Sequence, residues 1–126
     1  MPILKLSIDW STEEVENFCG DILTIAAEGG INYWASFNTE RRTDLTVLTL
    51  SNMMDVEDED QFDDVDIEDI WSTLQKVCDG VYDNSVANRI LDDIQDDLAT
   101  KECCQIDAEG ADVIVQLALF DEVVYG

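Results

Sequence analysis

The chain has 126 residues, six of them Lys or Arg and thirty of them Asp or Glu, for a formal net charge of −24. That length fits one domain, and an apolar content of 46% supplies a core that a disordered acidic tail lacks. A field of this sign excludes nucleic acid and anionic membranes as direct partners and steers the chain toward basic surfaces.

At the start, MPILKLSIDW has one Lys and then alternates, with no long apolar run of a signal peptide. No segment reaches transmembrane length. The expectation is a soluble, intracellular protein whose cysteines (Cys19, Cys78, Cys103 and Cys104) are reduced thiols. Pro2 to Ile8 reads as a short strand. Ser11-Thr12-Glu13-Glu14 is a capping box, in which the Ser11 hydroxyl accepts a helix amide and Glu14 reaches back. The helix it opens runs to about Ala27, with Val15, Phe18, Cys19, Ile22, Leu23 and Ala26 on its apolar face.

Gly29 and Gly30 follow. They lack GxGxxG spacing and the Lys-Ser/Thr of a phosphate loop. Their order is also reversed, since a phosphate loop precedes the helix whose N-terminus faces the anion. One of the two glycines is expected to stop the helix in the left-handed conformation, with Tyr33 and Trp34 then entering the core. Ile31 to Phe37 and Leu45 to Leu50 suggest a hairpin, which the N-terminal strand would join.

Residues 52–65 form an acidic linker. Asp66 is placed to cap a second helix with Asp69 three residues on. That helix buries Ile67, Ile70, Trp71, Leu74, Val77 and Cys78, and Gly80 ends it. A third helix starts near Asn84 or Ser85 and carries Val86, Ile90, Leu91, Ile94 and Leu98. Asp107 caps a last helix with Val113, Ile114, Leu117, Ala118 and Phe120, and Val123, Val124 and Tyr125 end near that core. The expected class is α+β: a small antiparallel N-terminal sheet with one helix, followed by a three-helix C-terminal portion, in a single acidic domain.

Catalytic chemistry finds little support. Histidine is absent, which removes the commonest general base and transition-metal ligand and any Cys-His nucleophile. Thirty acids make chance carboxylate pairs inevitable, and no motif selects one for glycosidase-type work. No register of the acidic linker places both the glycine and the glutamate that an EF-hand calcium loop needs. The reading is of a protein that is not an enzyme and needs no cofactor.

The acids themselves fall into two blocks. The first is Asp55, Glu57, Asp58, Glu59, Asp60, Asp63, Asp64, Asp66, Glu68 and Asp69; the second is Asp92, Asp93, Asp96 and Asp97. In a helix, positions four apart are separated by roughly 6 Å along the axis, so the second block reads as a stripe facing away from Ile90, Leu91, Ile94 and Leu98. Duplex DNA carries one phosphate per about 3.4 Å of axis on each strand. A stripe and an acidic linker together imitate such a row of charge.

EGGINYWA (Glu28 to Ala35) and ADVIVQLALFDEVVYG (Ala111 to Gly126) resemble segments of a family of short, mostly uncharacterised proteins of phages and mobile elements. The resemblance covers about a fifth of the chain, and Asp121 stands where that family's pattern has Gly. A phage origin implies, by analogy with other small acidic phage proteins, an inhibitor of host defence in the host cytoplasm. The expected partner is a basic nucleic-acid-binding host protein, such as a CRISPR effector or a restriction enzyme, contacted through both acidic blocks. Two other classes fit the same chain: a small-molecule or nucleotide-signal sponge, marked by an apolar pocket at Tyr33, Trp34 or Trp71, and an accessory phage protein whose charge serves solubility.

Overall fold

The computed structural model describes residues 10–31, 36–37, 47–51 and 62–124. The expected strand at Pro2 to Ile8, the aromatic pair Tyr33 and Trp34, the chain end at Tyr125 and most of the acidic linker lie outside them. Among the described residues there are four α-helices: α1 (Thr12–Ile25), α2 (Ile67–Cys78), α3 (Asn88–Thr100) and α4 (Ala108–Phe120). Three short strands stand between α1 and α2: β1 (Ser36–Phe37), β2 (Val47–Ser51) and β3 (Phe62–Asp66), antiparallel in the order β1-β2-β3.

The α+β class expected from the sequence is corrected by this arrangement. The molecule is mostly helical, and the helices carry the core. The strands span two, five and five residues, and Val65 of β3 is buried in that core. The reason is where the apolar area lies. Helices α1 to α4 each present a full apolar stripe, which a two-residue strand cannot match. The acidic linker is also shorter than expected. Its last part is β3, whose backbone pairs with β2 from Val47↔Asp66 to Ser51↔Phe62. Backbone pairing needs no apolar side chain. Alternation along β3 still leaves Val65 buried and Asp64 exposed.

Local chemistry sets each helix start. Ser11 Oγ accepts from Glu14 N–H at 3.1 Å, and Glu14 Oε1 accepts from Ser11 N–H at 2.9 Å. Asp66 and Asp69 repeat the reciprocal pair at α2, at 2.9 and 3.1 Å, and Asp107 caps α4 through Gly110 N–H at 2.9 Å. Helix α3 begins at Asn88, without a side-chain cap, later than the sequence suggests. Val86 is buried in the turn before it.

The end of α1 departs from expectation, while Gly80 ends α2 as expected. Gly29 is not left-handed. Instead α1 runs into a π-helical turn, Ala26–Gly30, closed by Ile31 N–H donating to Ala26 C=O at 3.2 Å. Gly80 is left-handed after α2, with φ +81. Among the described residues two more have positive φ and carry side chains: Lys101 (φ 62) after α3 and Asp121 (φ 59) after α4. At α3 the Lys101 and Glu102 amides both return to Asp97 C=O, the 5→1 bond of a left-handed cap and the 6→1 bond of a Schellman turn.

The core centres on α4, where every residue from Gly110 to Leu117 is buried. Phe18, Ile22 and Leu23 of α1, Ile70 and Leu74 of α2 and Ile94 of α3 pack round it. Two of the buried α4 residues are polar, Asp112 and Gln116. Gln116 Nε2 donates to Asp112 Oδ1 at 2.8 Å, and its Oε1 accepts from Val124 N–H at 2.8 Å. That bond holds the last described residues close to the core, as expected, while the Val123 and Val124 side chains stay exposed. No helix among the described residues is long and apolar enough to cross a membrane.

Candidate acidic binding surface

The structure divides the expected site residues into five groups, the last being Asp97 alone. Asp55, Glu57, Asp58, Glu59 and Asp60 lie outside the described residues. Asp63 and Asp64 belong to β3, with Asp64 exposed. Asp66 and Asp69 hold the α2 capping box, so their carboxylates already serve backbone amides, while Glu68 is exposed between them. On α3, Asp92 and Asp96 are exposed and Asp93 is half-buried. The two blocks therefore sit on different helices, at the start of α2 and along α3.

Asp97 is a correction. It is 1% exposed. Both carboxylate oxygens accept from Gln105 N–H at 2.9 Å, and Oδ2 accepts from Ile106 N–H at 2.8 Å. Asp97 lies three residues after Ile94 and seven after Ile90, a spacing that puts it on the apolar face rather than on the outer stripe. It anchors the corner between α3 and α4 and offers nothing to a partner.

The cations explain the character of the remaining surface. Lys76 pairs with Asp121 at 3.4 Å, Arg89 with Glu109 at 2.7 Å and Lys101 with Glu14 at 3.1 Å. Every cation among the described residues is thus engaged by an acid of the same chain. Each joins segments distant in sequence. Lys101 also lies 5.4 Å from the Trp10 ring centroid, within cation–π range. The Glu14 carboxyl is held below its usual range by the Ser11 amide and then by Lys101. The Tyr82 hydroxyl donates to Asp121 at 2.6 Å, which with Lys76 lowers the Asp121 carboxyl. Burial, and then this acceptor, push the Tyr82 phenol well above its usual value.

One groove stands out beside this surface. It measures about 530 Å³ and is lined by Trp10, Thr12, Val15, Glu16, Asp66, Ile67 and Glu68. The sequence did not point to it, because it forms where the first turns of α1 and α2 meet. Trp71 is not among the lining residues. It packs on Trp10 with ring centroids 5.2 Å apart, and Phe18 meets the same ring edge-on at 5.3 Å. Among the described residues no group of three or more acids or cysteines is gathered to hold a metal ion.

The thiols sit in an electronegative setting. Burial pushes Cys19 up to about 12, and burial followed by Asp21 does the same for Cys103. Burial also raises Cys78. Cys104 is exposed and all four are free thiols. A thiol of pKa 12 is ionised to about one part in ten thousand at pH 8. Titration of the native protein with a chromogenic disulfide is therefore expected to show one fast-reacting thiol per chain, with the other three reacting only on unfolding. Cys104→Ser should abolish the fast phase; a fast phase that survives this substitution would contradict the assignment.

Comparison with protein families, with curated proteins and with solved structures found no match.

Proposed function

We propose that this chain is a non-enzymatic inhibitor that imitates nucleic-acid charge and occupies the basic groove of a host defence protein, such as a CRISPR effector or a restriction enzyme. The observation that supports this reading is the pairing of the cations. With Lys76, Arg89 and Lys101 each engaged internally, the outer face of α3 presents Asp92 and Asp96 without a salt bridge among the described residues. Fixed carboxylates about one helical turn apart can replace phosphates in a basic groove, and displacing them with salt weakens the contact as it does for DNA. The phage-family resemblance supplies the kind of host protein; the charge supplies the mode.

A small-molecule signal binder finds less support. The groove beside Trp10 is bordered by Glu16, Asp66 and Glu68, which disfavours an anionic nucleotide.

The test is competition with DNA for a basic defence nuclease, measured at low and high salt. Combined Asp92→Asn, Asp93→Asn and Asp96→Asn is expected to weaken binding about tenfold to a hundredfold at low salt. Raising salt should erase most of the difference, because the Debye length shrinks from about 30 Å at 0.01 M to about 8 Å at 0.15 M. Affinity that is flat with salt, or unchanged in the triple variant, would overturn the reading.

A further inference from the structure

We infer that the groove between the first turns of α1 and α2 is a docking site for an arginine-bearing segment of the partner protein. This deepens the proposed function by naming the chemistry the partner brings, and it rests on that reading.

The groove has an apolar floor and an acidic border. Val15 and Ile67 are half-buried there beside Trp10, while Glu16 and Glu68 are exposed. Among the described residues neither of those two carboxylates has a hydrogen-bond or ion-pair partner. Asp66, by contrast, is committed to the α2 cap. The position of two helix N-termini argues for an anion, since each contributes roughly half a positive charge. That sum of about one positive charge is outweighed by the three lining carboxylates, and both ends are already closed by their own capping boxes. The net preference is for a cation.

Shape selects among cations. A bare ion would leave the apolar floor wet. A side chain with an aliphatic stem and a charged head satisfies both parts, the stem on Val15 and Ile67 and the head at Glu16 and Glu68. Arginine fits better than lysine because its planar fork can serve two carboxylates at once. Phosphate-gripping grooves are rich in this residue, so the site would hold a residue the target otherwise uses on nucleic acid.

The experiment titrates the whole chain with a hexa-arginine peptide, read by tryptophan fluorescence and by amide chemical shifts, with hexa-lysine alongside. Glu16→Gln with Glu68→Gln is compared with Asp79→Asn with Glu122→Gln, exposed carboxylates outside both acidic blocks, which removes the same charge elsewhere. All four positions are exposed, and melting curves check that both variants fold. The groove variant is expected to bind hexa-arginine about tenfold more weakly and the Asp79/Glu122 variant to stay within about twofold. Shifts should centre on Thr12–Glu16 and Asp66–Glu68, and hexa-lysine should bind more weakly than hexa-arginine. Equal losses in both variants would show attraction to net charge alone and overturn the proposal, as would shifts centred elsewhere or no preference for arginine. No nucleic-acid-binding protein enters this assay, so its outcome is independent of whether DNA competition succeeds.

Discussion

Asp97→Ala is expected to destabilise the protein by about 3 kcal/mol, lowering the melting temperature on the order of 10 °C. The Asp97 carboxylate is the acceptor for two successive backbone amides, Gln105 and Ile106, and Ile106 is itself buried. Truncation leaves a buried donor without that acceptor and removes the hydrogen bonds that tie the end of α3 to the residues before the α4 cap. Asp97→Asn keeps the shape but presents one oxygen, so it is expected to lose about half as much. The contrast with Asp96→Asn, one residue away and exposed, is the informative one: that change should stay within about 0.5 kcal/mol. Urea unfolding of the three variants measures this directly. An Asp97→Ala protein within about 1 kcal/mol of the parent would show that the corner holds without the carboxylate.

The second large effect is at Gln116. Its amide is fully buried and divides its two ends between Asp112 and the Val124 amide. Gln116→Leu is expected to cost about 2 to 3 kcal/mol, because the buried Asp112 carboxyl and the Val124 amide each lose this hydrogen bond. Hydrogen exchange at Val124 should accelerate together with the loss. Gln116→Glu has a distinctive sign. It puts a second carboxyl at hydrogen-bond distance from the Asp112 carboxylate in a buried site, so the introduced group has a folded-state pKa raised above its unfolded value. Its unfolded form ionises more readily, so the penalty is full at neutral pH and fades as pH falls below that raised pKa, where the protonated group can again donate to Asp112. A Gln116→Glu protein whose deficit relative to the parent does not shrink between about pH 7 and pH 5 would argue against direct contact of the two carboxyls.

What was legible in the sequence was mostly local. Ser11, Asp66 and Asp107 announce helix starts because a short polar side chain and an amide three residues on make a bond that depends on nothing distant. The apolar spacing of α1, α2 and α4 was legible for the same reason. The fold class was not, because strand-like residues are a local preference and the balance of sheet against helix is decided by which elements bury area. β3 was hidden by its acids, which read as a linker while its backbone paired with β2. Two helix ends were invisible because they use Lys101 and Asp121 where the rule looks for glycine. In both cases the side chain has another task, Lys101 toward Glu14 and Asp121 toward Tyr82.

The candidate site was legible as composition and only partly as geometry. Asp92 and Asp96 fell where the stripe placed them. Asp97 was misplaced by adjacency, although its distance from Ile90 and Ile94 carried the correct signal. Asp112 and Gln116 also carried a signal: a polar pair four apart in a helix that is otherwise apolar. The Trp10 groove had none, since its two walls, Trp10 to Glu16 and Asp66 to Glu68, are far apart in the chain.

The wide turn at Ala26–Gly30 has a consequence for phase. In an ordinary α-helix successive residues are rotated by about 100°, so a residue five positions on points well away from the first. Closing Ile31 onto Ala26 with a five-residue span absorbs one extra residue and brings both back to the same side, where both are fully buried. Glycine makes that slack cheap, and at Gly29 nothing presses on the space a side chain would fill. The EGG segment thus works as a spacer one residue long, resetting the angular register of the chain before it leaves the helix.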